Sequence, residues 1–124
     1  MAQRILIIED NPKNARLMRR VLEKANYQIL HAESGEAGLE LAIDAQPDLI
    51  LLDLGLPDVD GQVVAGMLKQ PGALPETPVI VVTAWPQETA MQMVAAYNCE
   101  GYIPKPIDTR TFIDQVARYL PQRP

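Results

Sequence analysis

The stretch Leu49-Ile50-Leu51-Leu52-Asp53 decides the fold: four apolar residues in a row, then at once a carboxylate. An unbroken apolar run of strand length is the pattern of a strand covered on both faces, as in parallel sheets between helices. The acid that ends it is poor core material, because burying an unpaired charge is costly. The same construction appears at Ile5–Ile8, which ends in Glu9 and Asp10. A lysine, Lys105, follows the last apolar run, in Tyr102-Ile103-Pro104-Lys105-Pro106. If these strands are parallel neighbours, Glu9, Asp10 and Asp53 converge at one edge of the sheet. Such a cluster suits a hard dication such as Mg²⁺, and one of the carboxylates can serve as a nucleophile.

Outward from that stretch, strand-length runs alternate with segments of helical period, which predicts βαβ units and a parallel sheet. The first strand is Arg4–Ile8, and Asn11-Pro12 offers an N-cap with proline at the first helical position. Met18, Val21, Leu22 and Ala25 recur on one face of the helix that follows. Tyr27–Ala32 reads as an edge strand, Ser34 as the cap of a helix bearing Gly38, Leu41, Ala42 and Ala45, and Pro47-Asp48 as its stop. Asp60 caps a short helix to about Lys69, and 70–78, rich in Pro and Gly, is an exposed connection. Val79–Val82 is the fourth strand, and Pro86 opens a helix with Ala90, Met93, Val94 and Tyr97. Gly101–Ile103 is the fifth strand, and Asp108 caps a last helix with Phe112, Ile113, Val116, Ala117 and Leu120 inward, ended by Pro121. Right-handed crossovers turn this alternation into a doubly wound α/β sandwich. Ligands bind outside the carboxyl ends of the strands in such folds. The acids, Thr83 and Lys105 all lie at that end.

Bulk properties bound the function. A chain of 124 residues, 48% apolar, fits one domain with a real core, about 4–120, leaving 121–124 as a tail or the start of a linker. A net charge of −5 argues against direct nucleic-acid binding, and no run of Lys/Arg suggests a membrane surface. Cys99 stands alone, so no internal disulfide forms, and a small buried hydrophobe is the expectation for it. The first apolar run is too short for a signal peptide or a membrane span, which leaves a cytoplasmic location as the expectation. His31 ends the edge-strand pattern and is expected to be structural or solvated, distant from the acids. Asp58 and Asp60 are expected to cap or to be solvated, and Met91 and Met93 to fill the core.

Glu9-Asp10, Asp53 with Pro57 and Gly61 downstream, Thr83-Ala84 and Lys105-Pro106 together resemble the receiver domain of two-component response regulators, from Arg4 to about Leu120. The resemblance implies a flavodoxin-like (βα)5 fold of strand order 2-1-3-4-5. It implies that Asp53 accepts a phosphoryl group from a histidine on a sensor kinase or phosphotransfer protein. Asp10 and Asp53 would ligate Mg²⁺ directly, Glu9 mostly through water, and the Gly55 backbone carbonyl would complete the protein's share. Lys105 would reach the phosphoryl oxygens, aimed by a cis bond to Pro106, and Thr83 would hydrogen-bond one of them. Tyr102 matches the family's aromatic switch position, remodelling the face of helix four, strand five and helix five for an output protein or a phosphorylation-dependent homodimer. Gly55 and Trp85 occupy the positions that tune acyl-phosphate lifetime, one lacking a side chain and the other unusually large.

Only four residues follow Leu120, so the expectation is regulation through protein contacts, or a module of a longer protein. On this reading the chain is not an enzyme beyond its own phosphorylation and dephosphorylation. Two other classes compete. An acyl-phosphate phosphohydrolase of the haloacid-dehalogenase type wants a second Asp two residues after the nucleophile, where this chain has Gly55. A flavin or nucleotide carrier wants a phosphate-cradling loop after the first strand, where this chain has Glu9-Asp10-Asn11-Pro12.

Overall fold

Every residue of β3 (Leu49–Asp53) and β4 (Val79–Thr83) is buried, as strands covered on both faces must be. The computed structural model describes residues 2–120. Around these two strands run β1 (Arg4–Ile8), α1 (Pro12–Lys24), β2 (Gln28–Ala32), α2 (Gly35–Ala45), α3 (Gly61–Leu68), α4 (Gln87–Ala96), β5 (Gly101–Pro104) and α5 (Phe112–Ala117). All pairings are parallel, in the order β2-β1-β3-β4-β5. This is the flavodoxin-like arrangement expected, with the chain reversing direction across the sheet between β1 and β3.

The two-residue period of the strands divides the core into two layers. Ile5, Ile7, Leu49, Leu51, Ile80 and Val82 pack with Met18 and Leu22 of α1 and Phe112 and Val116 of α5. Leu6, Ile8, Ile50, Leu52 and Val81 pack on the other side with Ala42 of α2, Val64 and Leu68 of α3 and Met93 of α4. The end of the sheet opposite the acids is closed by Lys69, whose side chain is 6% exposed. Its Nζ donates to the Thr77 carbonyl at 2.7 Å and to Glu100 Oε1 at 2.8 Å, while Glu100 Oε1 also accepts the Val79 N–H at 2.7 Å.

The helix starts show where local chemistry settles structure and where it does not. Asn11 caps α1 as expected, Oδ1 accepting from Lys13 N at 2.9 Å and Asn14 N at 3.1 Å, with Pro12 just inside. Ser34 Oγ accepts from Ala37 N at 3.1 Å. Asp60 stands at the N-cap of α3, but its carboxylate takes no capping bond. Asp108 does not cap α5. Its carboxylate turns to Arg110, taking the backbone N–H at 2.9 Å, and the helix proper begins after Thr111. The Asp108 backbone carbonyl, not its side chain, receives Thr111 N and Phe112 N. Tyr97, expected on the inner face of α4, is 38% exposed, because it falls at the C-cap where the helix has already turned off. Met93 is buried as expected, whereas Met91 is 54% exposed. The expected stop at Pro121 and the tail lie outside the described residues. Among the described residues, no helix is long and apolar enough to cross a membrane.

Candidate functional site

Parallel pairing carries the carboxyl ends of β1, β3, β4 and β5 to one edge, and there the sheet presents its polar residues. Asp53 is the last residue of β3, Thr83 the last of β4, and Glu9 and Asp10 follow β1 directly. Glu9, Asp53 and Thr83 are the three polar or charged residues buried among those described, at 1%, 7% and 2% exposure. Three buried polar groups at one sheet edge of an otherwise apolar core mark a site rather than a packing solution.

The geometry centres on one ammonium. Lys105 Nζ lies 3.0 Å from Asp53 Oδ1 and 3.0 Å from Glu9 Oε1. The approach to Asp53 is a directed hydrogen bond, whereas Glu9 Oε1 has the charge nearby but no donor aligned on it. Glu9 Oε2 accepts the Asn11 N–H at 3.2 Å, and Asp53 Oδ1 accepts the Gly55 N–H at 3.3 Å. Lys105 is set in place by its own N–H, which donates to the Thr83 carbonyl at 2.8 Å, and the Lys105–Pro106 peptide is cis.

These neighbours set the charges. Burial pushes the Glu9 carboxyl up, and the adjacent Asp53 adds to this, so that Glu9 sits above the usual glutamate range despite Lys105. Burial also pushes Asp53 up, but the Lys105 ammonium and the hydrogen bond shared with Glu9 outweigh it and hold Asp53 below the usual aspartate range. Burial pulls Lys105 down, yet its two carboxylates more than restore it, so it stays charged. Asp53 is thus kept as an anion, the state a nucleophilic carboxylate needs.

One carboxylate oxygen from each of Glu9, Asp10 and Asp53 lies within 4.8 Å of the other two, close enough to share a metal ion. The donor set fits a hard cation: all oxygen, with Asp10 exposed and Glu9 Oε1 lacking an aligned donor. The backbone approaches closely here as well. A Cβ on Gly61 would lie 2.6 Å from Leu54 Cα and 2.9 Å from the Asp53 carbonyl oxygen, so glycine is required where α3 begins under the site. A Cβ on Gly55 would meet the Asp53 carboxylate oxygens at 3.9 and 4.0 Å, so position 55 faces the carboxylate but supplies no side chain to cover it.

Thr83 Oγ1 accepts the Trp85 N–H at 3.0 Å, which leaves its hydroxyl proton free to be donated. Trp85 and Tyr102 are both half-buried against the core layer of α2, α3 and α4. Cys99 is half-buried, and burial together with the neighbouring Glu100 pushes its thiol up to about 11, an unreactive state. His31 is not distant from the acids. Pairing of β2 with β1 brings its Nε2 to 2.8 Å from the Glu9 carbonyl oxygen. Two residues escaped the sequence reading in their specific roles: His31 on the Glu9 backbone, and Asp58, whose carboxylate binds the start of α2. Both partners are more than twenty residues away, beyond the reach of local pattern.

The model of the response regulator receiver domain family matches residues 5–117. The chain belongs to that family. The polar-differentiation response regulator DivK of Brucella ovis is 38% identical over 120 residues, covering 97% of this chain and 98% of that protein. Among solved receivers, the chemotaxis response regulator CheY4 of Vibrio cholerae superposes with a TM-score of 0.91 at 22% identity, over 97% of this chain and 100% of that one. The receiver domain of a sensor histidine kinase from Pseudomonas aeruginosa, solved with a magnesium ion coordinated in its active-site cleft, gives a TM-score of 0.86 at 24% identity, covering 96% and 98%. The two structural likenesses establish the receiver fold, and the family assignment rests on the sequence match.

Proposed function

We propose that this receiver takes a phosphoryl group on Asp53 from a phosphohistidine of a sensor kinase or phosphotransfer protein. The observation that carries this is the single ammonium of Lys105, 3.0 Å from both Asp53 and Glu9, which holds Asp53 charged against the effect of burial. An Asp53 carboxylate oxygen bonds to phosphorus as the P–N bond breaks and the donor imidazole leaves with the electron pair. Water later cleaves the acyl phosphate and returns carboxylate and inorganic phosphate. Lys105 moves from carboxylate to phosphoryl oxygen, and the free proton of Thr83 Oγ1 meets another. Asp10 and Asp53, with Glu9 mostly through water and the Gly55 carbonyl, would hold Mg²⁺, which would supply the positive charge that offsets the repulsion between the two anions. The magnesium in the Pseudomonas aeruginosa receiver supports that choice of ion.

The output is a switched surface. Thr83 is drawn toward the phosphoryl group, the loop to Pro86 follows, and Tyr102 turns into the space left, repacking the α4–β5–α5 face for an output protein or a second copy. A shallow depression lined by Asn14, Leu17, Ala84, Lys105, Pro106 and Ile107 borders the site, with Leu17 36% exposed, and suits the approach of a donor protein. On this reading the chain catalyses only its own modification.

The test is incubation with acetyl phosphate or phosphoramidate and Mg²⁺, followed by intact-protein mass measurement. A Mg²⁺-dependent gain of one phosphoryl group, absent in Asp53→Asn, is the expected result. Rapid turnover of the small donor with no trapped adduct would make the chain an enzyme instead. Flavin bound on purification would make it a carrier.

A further inference from the structure

The loop between β3 and α3, residues 54–60, is held at two points. Its first half is fixed by burial, Leu54 at 6% and Leu56 at 9% exposure. Its second half is fixed by Asp58, which reaches across to a different helix. Asp58 Oδ1 accepts the Gly35 N–H at 2.9 Å and Oδ2 accepts the Glu36 N–H at 3.0 Å. With Ser34 Oγ taking Ala37 N and the Ser34 carbonyl taking Gly38 N, the first four N–H groups of α2 all have acceptors. Half of that set is supplied by the loop that follows Asp53. The joint is also close-packed: a Cβ on Gly35 would lie 2.3 Å from Val59 Cγ2, 2.9 Å from Val64 Cγ2 and 3.4 Å from Asp58 Oδ1. The two backbone N–H groups hold the Asp58 carboxyl below its ordinary range, as an anion at a helix N-terminus should be.

The same loop carries Gly55, whose N–H donates to Asp53 Oδ1 at 3.3 Å and so helps to set the orientation of that carboxylate. We infer that Asp58 is a positioning residue for phosphoryl acceptance: by tying residues 58–59 to the start of α2 it fixes the loop, and through the Gly55 N–H it fixes the Asp53 carboxylate. The inference rests on Asp53 being the phosphoacceptor. It also joins α2 to the site, since what displaces the loop must release Gly35 and Glu36. A local misplacement of a reacting group is costly in rate even when the fold survives.

The experiment measures the rate of phosphorylation by phosphoramidate at saturating Mg²⁺ for the wild type, Asp58→Ala, Asp58→Asn and Gly35→Ala. Each is assayed at a temperature where circular dichroism shows it fully folded. Asp58→Ala removes the tie, and Gly35→Ala wedges the loop away while leaving the carboxylate in place. Both are expected to slow the reaction by roughly three- to tenfold, the factor that corresponds to one charged cap. Asp58→Asn keeps one acceptor oxygen and is expected to fall between them and the wild type. Lower melting temperatures with unchanged rates would show that Asp58 merely caps α2, and would overturn the inference. A wild type that gains no phosphoryl group would instead sink the phosphoacceptor reading, and the inference with it.

Discussion

Asp10→Asn is expected to stabilise the metal-free protein while abolishing its response to Mg²⁺. The substitution removes one of three carboxylates whose oxygens lie within 4.8 Å of one another. Asp10 is exposed, and its side chain has no hydrogen-bond or ion-pair partner among the described residues, so the change breaks no contact. Of the two acids it faces, about one unit of charge is already balanced by Lys105. One residual unit at roughly 5 Å repels Asp10 by about 0.8 kcal/mol in bulk-water dielectric and by about twice that at half the dielectric. Salt screening trims the value, leaving about 1 kcal/mol. With an unfolding entropy of about 2.1 cal/mol/K per residue over 124 residues, that is a rise of about 4 °C in Tm. The assay is thermal unfolding by circular dichroism in EDTA at low ionic strength, repeated in about 1 M NaCl, where the difference should shrink. Millimolar Mg²⁺ should then raise the wild type by mass action and leave the variant nearly unmoved. A wild type that melts at or above Asp10→Asn in EDTA and low salt would refute the picture of unbalanced charge at this edge.

Other outcomes follow from the same geometry. Asp53, held below its ordinary range, contributes stability that is present above about pH 3.9 and is lost as the pH falls through its depressed folded value. Glu9, held above its range, works in the opposite sense: its contribution is full below about pH 4.3 and fades as the pH rises through its raised folded value. In EDTA, the Tm of the wild type relative to Glu9→Gln should therefore climb as the pH falls from about 7 toward 4.3, and a flat difference would contradict the burial effect at Glu9. Tyr102→Ala should uncouple the site from its surface. Amide chemical-shift changes over α4, β5 and α5 on adding beryllofluoride and Mg²⁺ should shrink toward those near Asp53 alone, and an unchanged response would remove Tyr102 from the switch.

Much of this was legible because the strands are unambiguous. Leu49–Leu52 and Ile5–Ile8 are too uniformly apolar to be amphipathic helices and too short to be buried ones, and an acid that ends such a run has only the sheet edge to occupy. Once parallel order was set, Glu9, Asp53 and Lys105 had to meet. Helix ends were less legible where two partners compete for one group. Asp108 has the right type and position to cap α5, but Arg110, two residues on, offers it both a backbone N–H and a guanidinium. Asp58 and Asp60 look alike in sequence, yet one carboxylate ties down a distant helix and the other takes no capping bond at its own. That difference depends on where α2 lies, which only the folded chain specifies. The placement of His31 against Glu9 is set by the same long-range pairing.

The composition also hid an electrical polarity. α1 carries Lys13, Arg16, Arg19, Arg20 and Lys24 against a single acid, Glu23, and all six are exposed. In a chain of net charge −5, this one helix is net +4 and the remainder −9. α2, which packs on the opposite side of the sheet, answers with Glu36, Glu40 and Asp44 and no cation. The molecule is therefore a dipole whose positive pole begins directly beside the carboxylate edge. A negatively charged surface approaching from any direction exerts a torque that turns α1 toward it before contact. Rotational search for an encounter through α1 is thereby shortened, and the shortening weakens as salt is raised.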